Sequence, residues 1–591
     1  MRFLLSTLIA FTFLQAGAQT LPFAQLHTYK TGIFDSSGTE IIAYDRISRR
    51  LYSTNKARNR IDIFTYSDFS KPGKIGSIDM NPYVSSISSV AVYFGTVAVV
   101  GSGAVPQFPG KLVFFDKDGI FKAQFAVGAQ PDMVTFTPGG NQVLVAGEGE
   151  PSDDYTGDPW GSVSIIDISP GFNFITQADM KYVYFDRLDT VAYDPAVRIF
   201  GNNGAQTAAQ DIEPEFITVN SAQTKAYVSL QENNAIAIVD LFTATLDTVV
   251  GLGYKDFSAI GLDASDVANS INIRTHSNLF GMYQPDALVA YNTGGTQYIL
   301  SANEGDARDY TAYSEEVRVG SMILDFPKFP TWPTNQHDTV LGRLKVTTAL
   351  GDNNNDGSFD SLYCFGGRSF SIWDENVQLV WDSGDDFEQT LKALHASEFN
   401  SDRDDNSSRK SRSDDKGPEP KNVVIGEVDG KTYAFICLER MGGIMIYDIT
   451  NPLAPTFVMY ELNRDFTKAA NDADAGDLGP VGMSFVKAAD NTRGLPLLFV
   501  ANAVSGTITV YEMGVKVGLE ENYVVEEPSF FPNPSTGVFE TQHYGNYKVY
   551  NINGQIIQTL TDRNKVDLSN QPAGYYVIRS EDGTSVRVIK K

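Results

Sequence analysis

The chain has 591 residues, 42% of them hydrophobic, with 51 Gly, 26 Pro and a formal net charge of −26 from 46 Lys+Arg against 72 Asp+Glu. That composition excludes a disordered, collagen-like or coiled-coil chain. The acidic balance excludes nucleic acid and anionic membrane as main partners, since both call for a basic face, and favours cations or cationic ligands.

In chain order, residues 1–18 read as a signal peptide: one charge at Arg2, an apolar run and a small-residue exit at Ala16, Gly17 and Ala18. The mature chain is expected to start near Gln19. No later stretch approaches the ~18 uninterrupted apolar residues of a membrane span. A weak repeat follows. QPDMVTFTPGGNQVLVAGEGE (130–150), EPEFITVNSAQTKAYVSLQEN (213–233), QPDALVAYNTGGTQYILSANEGD (284–306) and GPEPKNVVIGEVDGKTYAFICLER (417–440) align directly, with degenerate copies at 38–58, 88–103 and 479–503. Each unit is an acid after Pro, an alternating apolar run, a turn, a second run and an acidic or amide cluster. Most are followed by a further strand such as SVSIIDI or AIAIVDL. Three or four strands per unit over about seven units predict an all-β fold, a β-propeller spanning 19–515, closed by a strand near Leu26 and carrying little helix. Two stretches break the spacing, 307–362 and 382–416, and are read as loop insertions; the charged run SDRDDNSSRKSRSDDKG in the second is expected to be solvated.

In an antiparallel hairpin, residues equidistant from the turn lie opposite one another. With turns near Gly139, Ala222, Gly294 and Asp429, Asp132 falls close to Glu148, Glu215 to Glu232, Asp286 to Asn303 and Glu304, and Glu419 to Glu439. In a propeller the first strand of each unit lines the central channel. These acids, with the neighbouring Glu150, Glu213 and Asp306, are therefore expected at one channel mouth. Crowded carboxylates resist ionisation without a compensating cation. The mouth is thus a candidate site for hard divalent cations, most plausibly Ca²⁺. Arg308, Arg412, Lys416 and Arg440 beside it suggest an anionic, phosphate-containing ligand. A second calcium candidate is GDNNNDGSFDSLY (351–363). Asp352, Asn354, Asp356 and Asp360 take the first, third, fifth and ninth places of a calcium loop and Gly357 the sixth, but Tyr363 replaces the usual Glu at the twelfth. Five scattered histidines give no zinc site or Ser/His/Asp triad. Cys364 and Cys437 lie in strand-like runs, as buried free thiols would. The four tryptophans are expected to pack between units more than to stack on sugars.

An acidic linker at 516–527 precedes a segment, 528–591, of short alternating strands separated by turns such as Asn553–Gly554, which predicts a small antiparallel β-sandwich. FPNPSTG (531–537), VYNINGQ (549–555), LSNQPAGYYVIRS (568–580) and the terminal Lys590 and Lys591 resemble the type A sorting domain of the type IX secretion system. That resemblance implies export through the periplasm of a Bacteroidetes-type bacterium to the outside or outer surface, with the secretion machinery as partner. The segments DIEPEFITVN, LQENNAIAIVDL, SANEGDARDY, FGGRSFSIWD, VWDSGDDFE, RSDDKGPEP and LERMGGIMIYDITNP resemble the choice-of-anchor I family over about 25–515. The resemblance implies a secreted or surface-held propeller and little chemistry. Some relatives are labelled alkaline phosphatase-like, which makes calcium-dependent phosphoester hydrolysis the enzymatic alternative, with Arg308 or Arg440 neutralising charge. Adhesion or glycan binding is a further alternative. The protein is expected to act as a monomer.

Overall fold

A computed structural model describes residues 21–69, 71–514, 530–580 and 585–591, without the side chains of 542 and 543. The expected signal peptide and acidic linker lie outside the described residues. The chain forms two compact units, Met1–Val515 and Lys516–Lys591.

The first unit contains seven four-stranded antiparallel sheets among its described residues. Six are built from four strands successive within the repeat, at 42–79, 86–129, 131–184, 214–251, 288–382 and 420–461. The seventh takes three strands from 480–513 and its fourth from Phe23–Lys30, which pairs with Thr507–Met513. The two ends of the unit are thereby stitched into one sheet. The leading strand of each sheet packs against that of the next, and the seventh returns to the first, so the ring closes. Closure follows from the residue pattern. Val143–Ala146, for example, are fully buried because both faces of that strand meet a neighbouring sheet. At one such contact Tyr227 and Ile236 of the fourth sheet meet Leu288, Ile299 and Trp373 of the fifth, and Trp373 donates its indole N–H to Ser301 Oγ at 2.8 Å. Cys364 and Cys437 are both buried and free.

The irregular stretches correct the sequence reading in two places. First, a separate five-stranded sheet joins Tyr254–Asp256, Leu279–Met282, Glu316–Arg318, Lys345–Thr347 and Leu362–Cys364, so the inserted body starts well before residue 307. Its strands are too short to show alternation, and Leu279–Met282 pairs in parallel with Leu362–Cys364, which no hairpin signal announces. Second, much of the charged run is buried. Lys410 Nζ lies 3.2 Å from Asp263 and donates to the carbonyls of Ala268 and Ser270 at 3.0 and 2.9 Å, and Arg368 binds the carbonyls of Ser413 and Asp415. Lys410, Asp414 and Arg403 are matched by partners supplied from elsewhere in the fold, while Asp404, Asp405 and Arg409 are exposed, as the sequence reading expected.

In the second unit Val538–Tyr550, Ile556–Asp567, Gly574–Ser580 and Ser585–Lys590 form an antiparallel sheet. Register breaks between Glu540 and Tyr547 divide the long first strand in two. Phe539, Tyr547, Val549, Val566, Ile578 and Val588 make its core. Lys590 is buried and donates to the carbonyls of Ser569 and Gln571, fixing the turn in LSNQPAG.

Candidate functional site

The mouth is built from two positions that recur from sheet to sheet. One is the head of the innermost strand. Pro131, Pro214, Pro420 and Pro480 each start that strand, and the hydrogen-bond register breaks just after each of them. A bulge frees the next residue from the ladder and re-aims its side chain. Those residues are Asp132, Glu215, Lys421 and Val481, while Asp286 follows Pro285 at the matching place in the fifth sheet. The residue before the proline has positive φ at Gln130 (43°), Gln284 (42°), Glu419 (51°) and Gly479 (65°), a region costly for a side chain and doubly so before proline. The second position is the tail of the neighbouring strand, where Lys56, Glu148, Gln231, Glu304 and Glu439 follow Asn55, Gly147, Leu230, Asn303 and Leu438.

On the side formed by the fifth and sixth sheets every acid has a cation. Lys421 Nζ sits 2.7 Å from Asp286 and 3.0 Å from Glu304. Glu419, fully buried, accepts from Arg412 Nη2 at 2.5 Å and Arg440 Nε at 2.8 Å, with Lys416 at 3.7 Å; Glu439 pairs with Arg403. Burial alone would raise these groups, but Lys416, Arg412 and Arg440 hold Glu419 below the usual carboxylate range. Against burial again, Lys421, Arg440, Arg403 and a hydrogen bond from Glu304 hold Glu439 far lower. Glu304 supplies the proton of that bond: burial, reinforced by Asp286 and partly offset by Lys421, pushes it up to about 8. Among the described residues, Glu304, Glu419 and Glu439 are the one group whose carboxylate oxygens lie within 4.8 Å of one another. Five Arg and Lys side chains already surround it.

The third and fourth sheets present the opposite condition. Asp132, Glu148 and Glu215 are half-buried and Glu232 is buried, and among the described residues no Lys or Arg pairs with any of the four. Glu232 Oε2 is buried without a hydrogen-bond partner. Burial, with Asp132, Glu150, Glu232 and Glu213 adding to it, raises Glu148 well above the ordinary range, and burial with Glu232, Asp286 and Glu148 does the same for Glu215. Burial pushes Glu232 up to about 7 despite Arg308, and Asp132 up to about 6 despite Lys56. These groups act on one another across the two sheets, as carboxylates close together in space do.

Some expected members serve the scaffold. Asn303 is turned into its own sheet, accepting from Ser301 Oγ and donating to Ser369 and Ser371. Arg308 is fully buried, 3.2 Å from Glu213, and donates to the Asp211 carbonyl at 2.6 Å. Arg440 is committed to Glu419 and Asp402. Arg440 is therefore not a free anchor for an anion, whereas Arg308 keeps one buried nitrogen, Nη1, without a hydrogen-bond partner. Glu150 accepts from Gln130 at 2.6 Å, and Asp306 is exposed beside Lys416 at 3.4 Å. Lys421, Lys56 and Arg403 were not among the expected site residues, although the alignment of QPD, EPE, QPD and EPK puts Lys421 at the place of the acids.

The Asp/Asn loop lies apart, beside the inserted sheet. Asp352 accepts from the N–H groups of Asp356 and Gly357 at 3.1 and 2.9 Å, and Asp360 from that of Asn353 at 3.0 Å. Asn354 Oδ1 accepts from the Asp356 N–H at 2.9 Å, and Asp356 accepts from Ser358. Tyr363, at the twelfth place, belongs to a strand and stacks on Phe280.

A closed ring of four-stranded sheets followed by a small β-domain is the architecture of a β-propeller protein with a C-terminal accessory domain. Residues 40–452 match the Choice-of-anchor I domain, and the chain belongs to that family. Residues 529–591 match the Secretion system C-terminal sorting domain. The protein is thus a secreted or outer-surface propeller of a Bacteroidetes-type bacterium, delivered by the type IX machinery through this tail. No helix among the described residues is long and apolar enough to cross a membrane. The chain is similar to the Mesenchyme-specific cell surface glycoprotein of Strongylocentrotus purpuratus, 27% identical over 53% of this chain and 42% of that protein. It is also similar to Gigasin-3a of Magallana gigas, 28% identical over 31% of this chain and 67% of that one. The chain therefore spans under half the length of the first of these relatives. Among solved structures, a streptogramin B lyase aligns over 83% of this chain and 98% of its own at 11% identity and TM-score 0.40. The Myceliophteria thermophila Cps50 (Swd1) β-propeller domain aligns over 83% and 99% at 9% identity and TM-score 0.39.

Proposed function

We propose that this secreted propeller binds cations at its channel mouth, on the side formed by the third and fourth sheets. One observation carries the reading: Asp132, Glu148, Glu215 and Glu232 are gathered in a partly buried space with no basic side chain paired to any of them. Removing carboxylates from water without compensation is unfavourable, so such a group holds protons until a cation arrives. The chelating trio Glu304, Glu419 and Glu439 is not part of this proposal, because fixed guanidinium and ammonium groups already fill it. Calcium is proposed for the Asp352–Asp360 loop as well, on the sequence positions of Asp352, Asn354, Asp356 and Asp360, and as one of the cations the mouth accepts.

The test is titration of EDTA-treated protein with CaCl2 at pH 8. Two classes of heat are expected, one weakened by Asp356→Ala and the other by the double change Glu148→Gln and Glu232→Gln. Heat that survives both sets of changes, or no heat at all, removes the calcium assignments. p-Nitrophenyl phosphate in the same buffer tests for hydrolysis; turnover lost in Glu148→Gln with Glu232→Gln would extend the binder to an enzyme.

A further inference from the structure

Two Asp–Pro bonds occur in the chain, Asp158–Pro159 and Asp194–Pro195, and the fold treats them differently. The side chain of such an Asp can close a five-membered ring on its own carbonyl carbon, and the proline nitrogen, part of a tertiary amide, is a better leaving group once protonated. At Asp194 both carboxylate oxygens are engaged, Oδ1 by the Ala196 N–H at 2.9 Å and Oδ2 by the Gly251 N–H at 3.0 Å. At Asp158, Oδ1 has no partner among the described residues, and Oδ2 shares a single donor with the main chain. That donor is Gln210 Nε2, 3.3 Å from Oδ2 and 3.3 Å from the Asp158 carbonyl oxygen, which belongs to the Asp–Pro bond itself. The orientation of the amide is set, because Gln210 Oε1 accepts from the Thr207 N–H at 3.3 Å and from Thr207 Oγ1 at 3.0 Å. One donor reaching both oxygens holds the carboxyl on the side of its own carbonyl and polarises that carbonyl. Burial, reinforced by Asp211 and partly offset by Arg308, pushes the Asp158 carboxyl up to about 7, so it keeps its proton in mildly acidic solution.

We propose that the Asp158–Pro159 bond is a self-cleavage site, at which the Asp158 carboxyl attacks its own main-chain carbonyl with Gln210 as the positioned donor. Oδ1 forms a bond to the carbonyl carbon, and the carboxyl proton passes to the proline nitrogen. The C–N bond then breaks, leaving a five-membered cyclic anhydride on Asp158 and a secondary amine on Pro159. One water molecule opens the anhydride, so the products are a chain ending in Asp158 and a chain starting at Pro159, with no oxidant, reductant or bound group consumed. Gln210 Nε2 donates to the oxygen on which negative charge collects during the attack. Asp158 and Pro159 are only half-buried, which leaves the bond open to water. The cut falls in the connection between Gln142–Gly147 and Ser162–Asp167, neighbouring strands of the third sheet, so their ladder keeps the two fragments together. None of this depends on the cation-binding reading.

The experiment is incubation of the purified full chain at pH 6 and pH 8, read by denaturing electrophoresis and mass spectrometry. Cleavage is expected at pH 6, with Pro159 as the new first residue, and about 10-fold more slowly at pH 8, where the carboxyl has lost its proton. The fragments are expected to run together in size exclusion until denaturant is added. Asp158→Asn and Pro159→Ala should each abolish the cut while keeping a cooperative melting transition. Gln210→Glu keeps the acceptor for Thr207 and removes the donor, and is expected to slow cleavage at pH 6 at least about 10-fold. Asp194–Pro195 is expected to stay intact. A chain uncut at both pH values would overturn the proposal. So would equal cutting at Asp194–Pro195, or an unaltered rate in urea, since either would show only the acid lability common to any Asp–Pro bond.

Discussion

The two sides of the channel mouth are made from the same pair of strand positions and hold opposite electrostatic states. Around the sixth sheet, Glu419 and Glu439 lie among Arg403, Arg412, Lys416, Lys421 and Arg440, and these cations hold both below the usual carboxylate range against the effect of burial. Around the third and fourth, Glu148, Glu215 and Glu232 have no ion-pair partner among the described residues, and burial raises all three, Glu232 to about 7. The difference separates carboxylates that serve the fold from carboxylates that cost it stability. In a chain of net charge −26 the first kind is cemented by cations at ion-pair distance, whereas the second persists with no ion pair among the described residues and only more distant cations such as Lys56 and Arg308 acting on it, as groups kept for a ligand do.

The largest effect that probes this contrast is removal of a fixed cation. Arg308→Met, which strands Glu213 and Asp211 in a buried space, is expected to cost about 3–5 kcal/mol in denaturant unfolding. An unchanged midpoint would mean that those acids are not held by it. Next comes a pair of changes of opposite sign. Glu419→Gln removes the acid shared by three cations and is expected to destabilise by about 2–4 kcal/mol at pH 8, while Glu232→Gln relieves an uncompensated acid and is expected to stabilise by about 1–3 kcal/mol at the same pH.

The pH dependence follows from the same shifts. Glu232 moves from 4.5 to about 7 and Asp132 from 3.8 to about 6 on folding. The folded protein therefore holds these protons more tightly than the unfolded chain, and their contribution favours folding at low pH and is lost as pH rises through that window. Glu419 runs the other way, stabilising above its unfolded value of 4.5 and losing that effect as pH falls below it. Thermal scans from pH 5 to 8 should show wild-type stability falling relative to Glu232→Gln, the two being close at pH 5 and the variant ahead at pH 8. A cationic ligand should bind more tightly at pH 8 than at pH 5, with proton release. The smallest effect is local: Asp356→Ala is expected to lower the melting temperature by a few degrees in calcium and not in EDTA.

Much of the ring was legible because its signals are local. The Pro-acid head, the alternating runs and the turn residues recur within about twenty residues, enough to place Asp132 opposite Glu148 and Glu419 opposite Glu439. The partition of the mouth was not legible, because it depends on which side chains arrive from other parts of the ring. Arg412 and Arg403 reach Glu419 and Glu439 from a run that its composition marked as solvated, and Lys421 crosses from the sixth sheet to the fifth. Asn303 was misassigned for the same reason: the serines that bind it, Ser369 and Ser371, follow more than sixty residues later, beyond the inserted sheet. The bulges after Pro131, Pro214 and Pro420 carry no sequence mark beyond the proline itself, yet they turn the next side chain toward the channel.

The most direct measurement compares Glu419→Gln and Glu232→Gln with the parent protein by denaturant unfolding at pH 8 without added cations. Loss of stability in the first and gain in the second is the predicted result. Equal losses in both would contradict the account, since they would mean that the acids of the third and fourth sheets are compensated within the fold and are not waiting for a ligand.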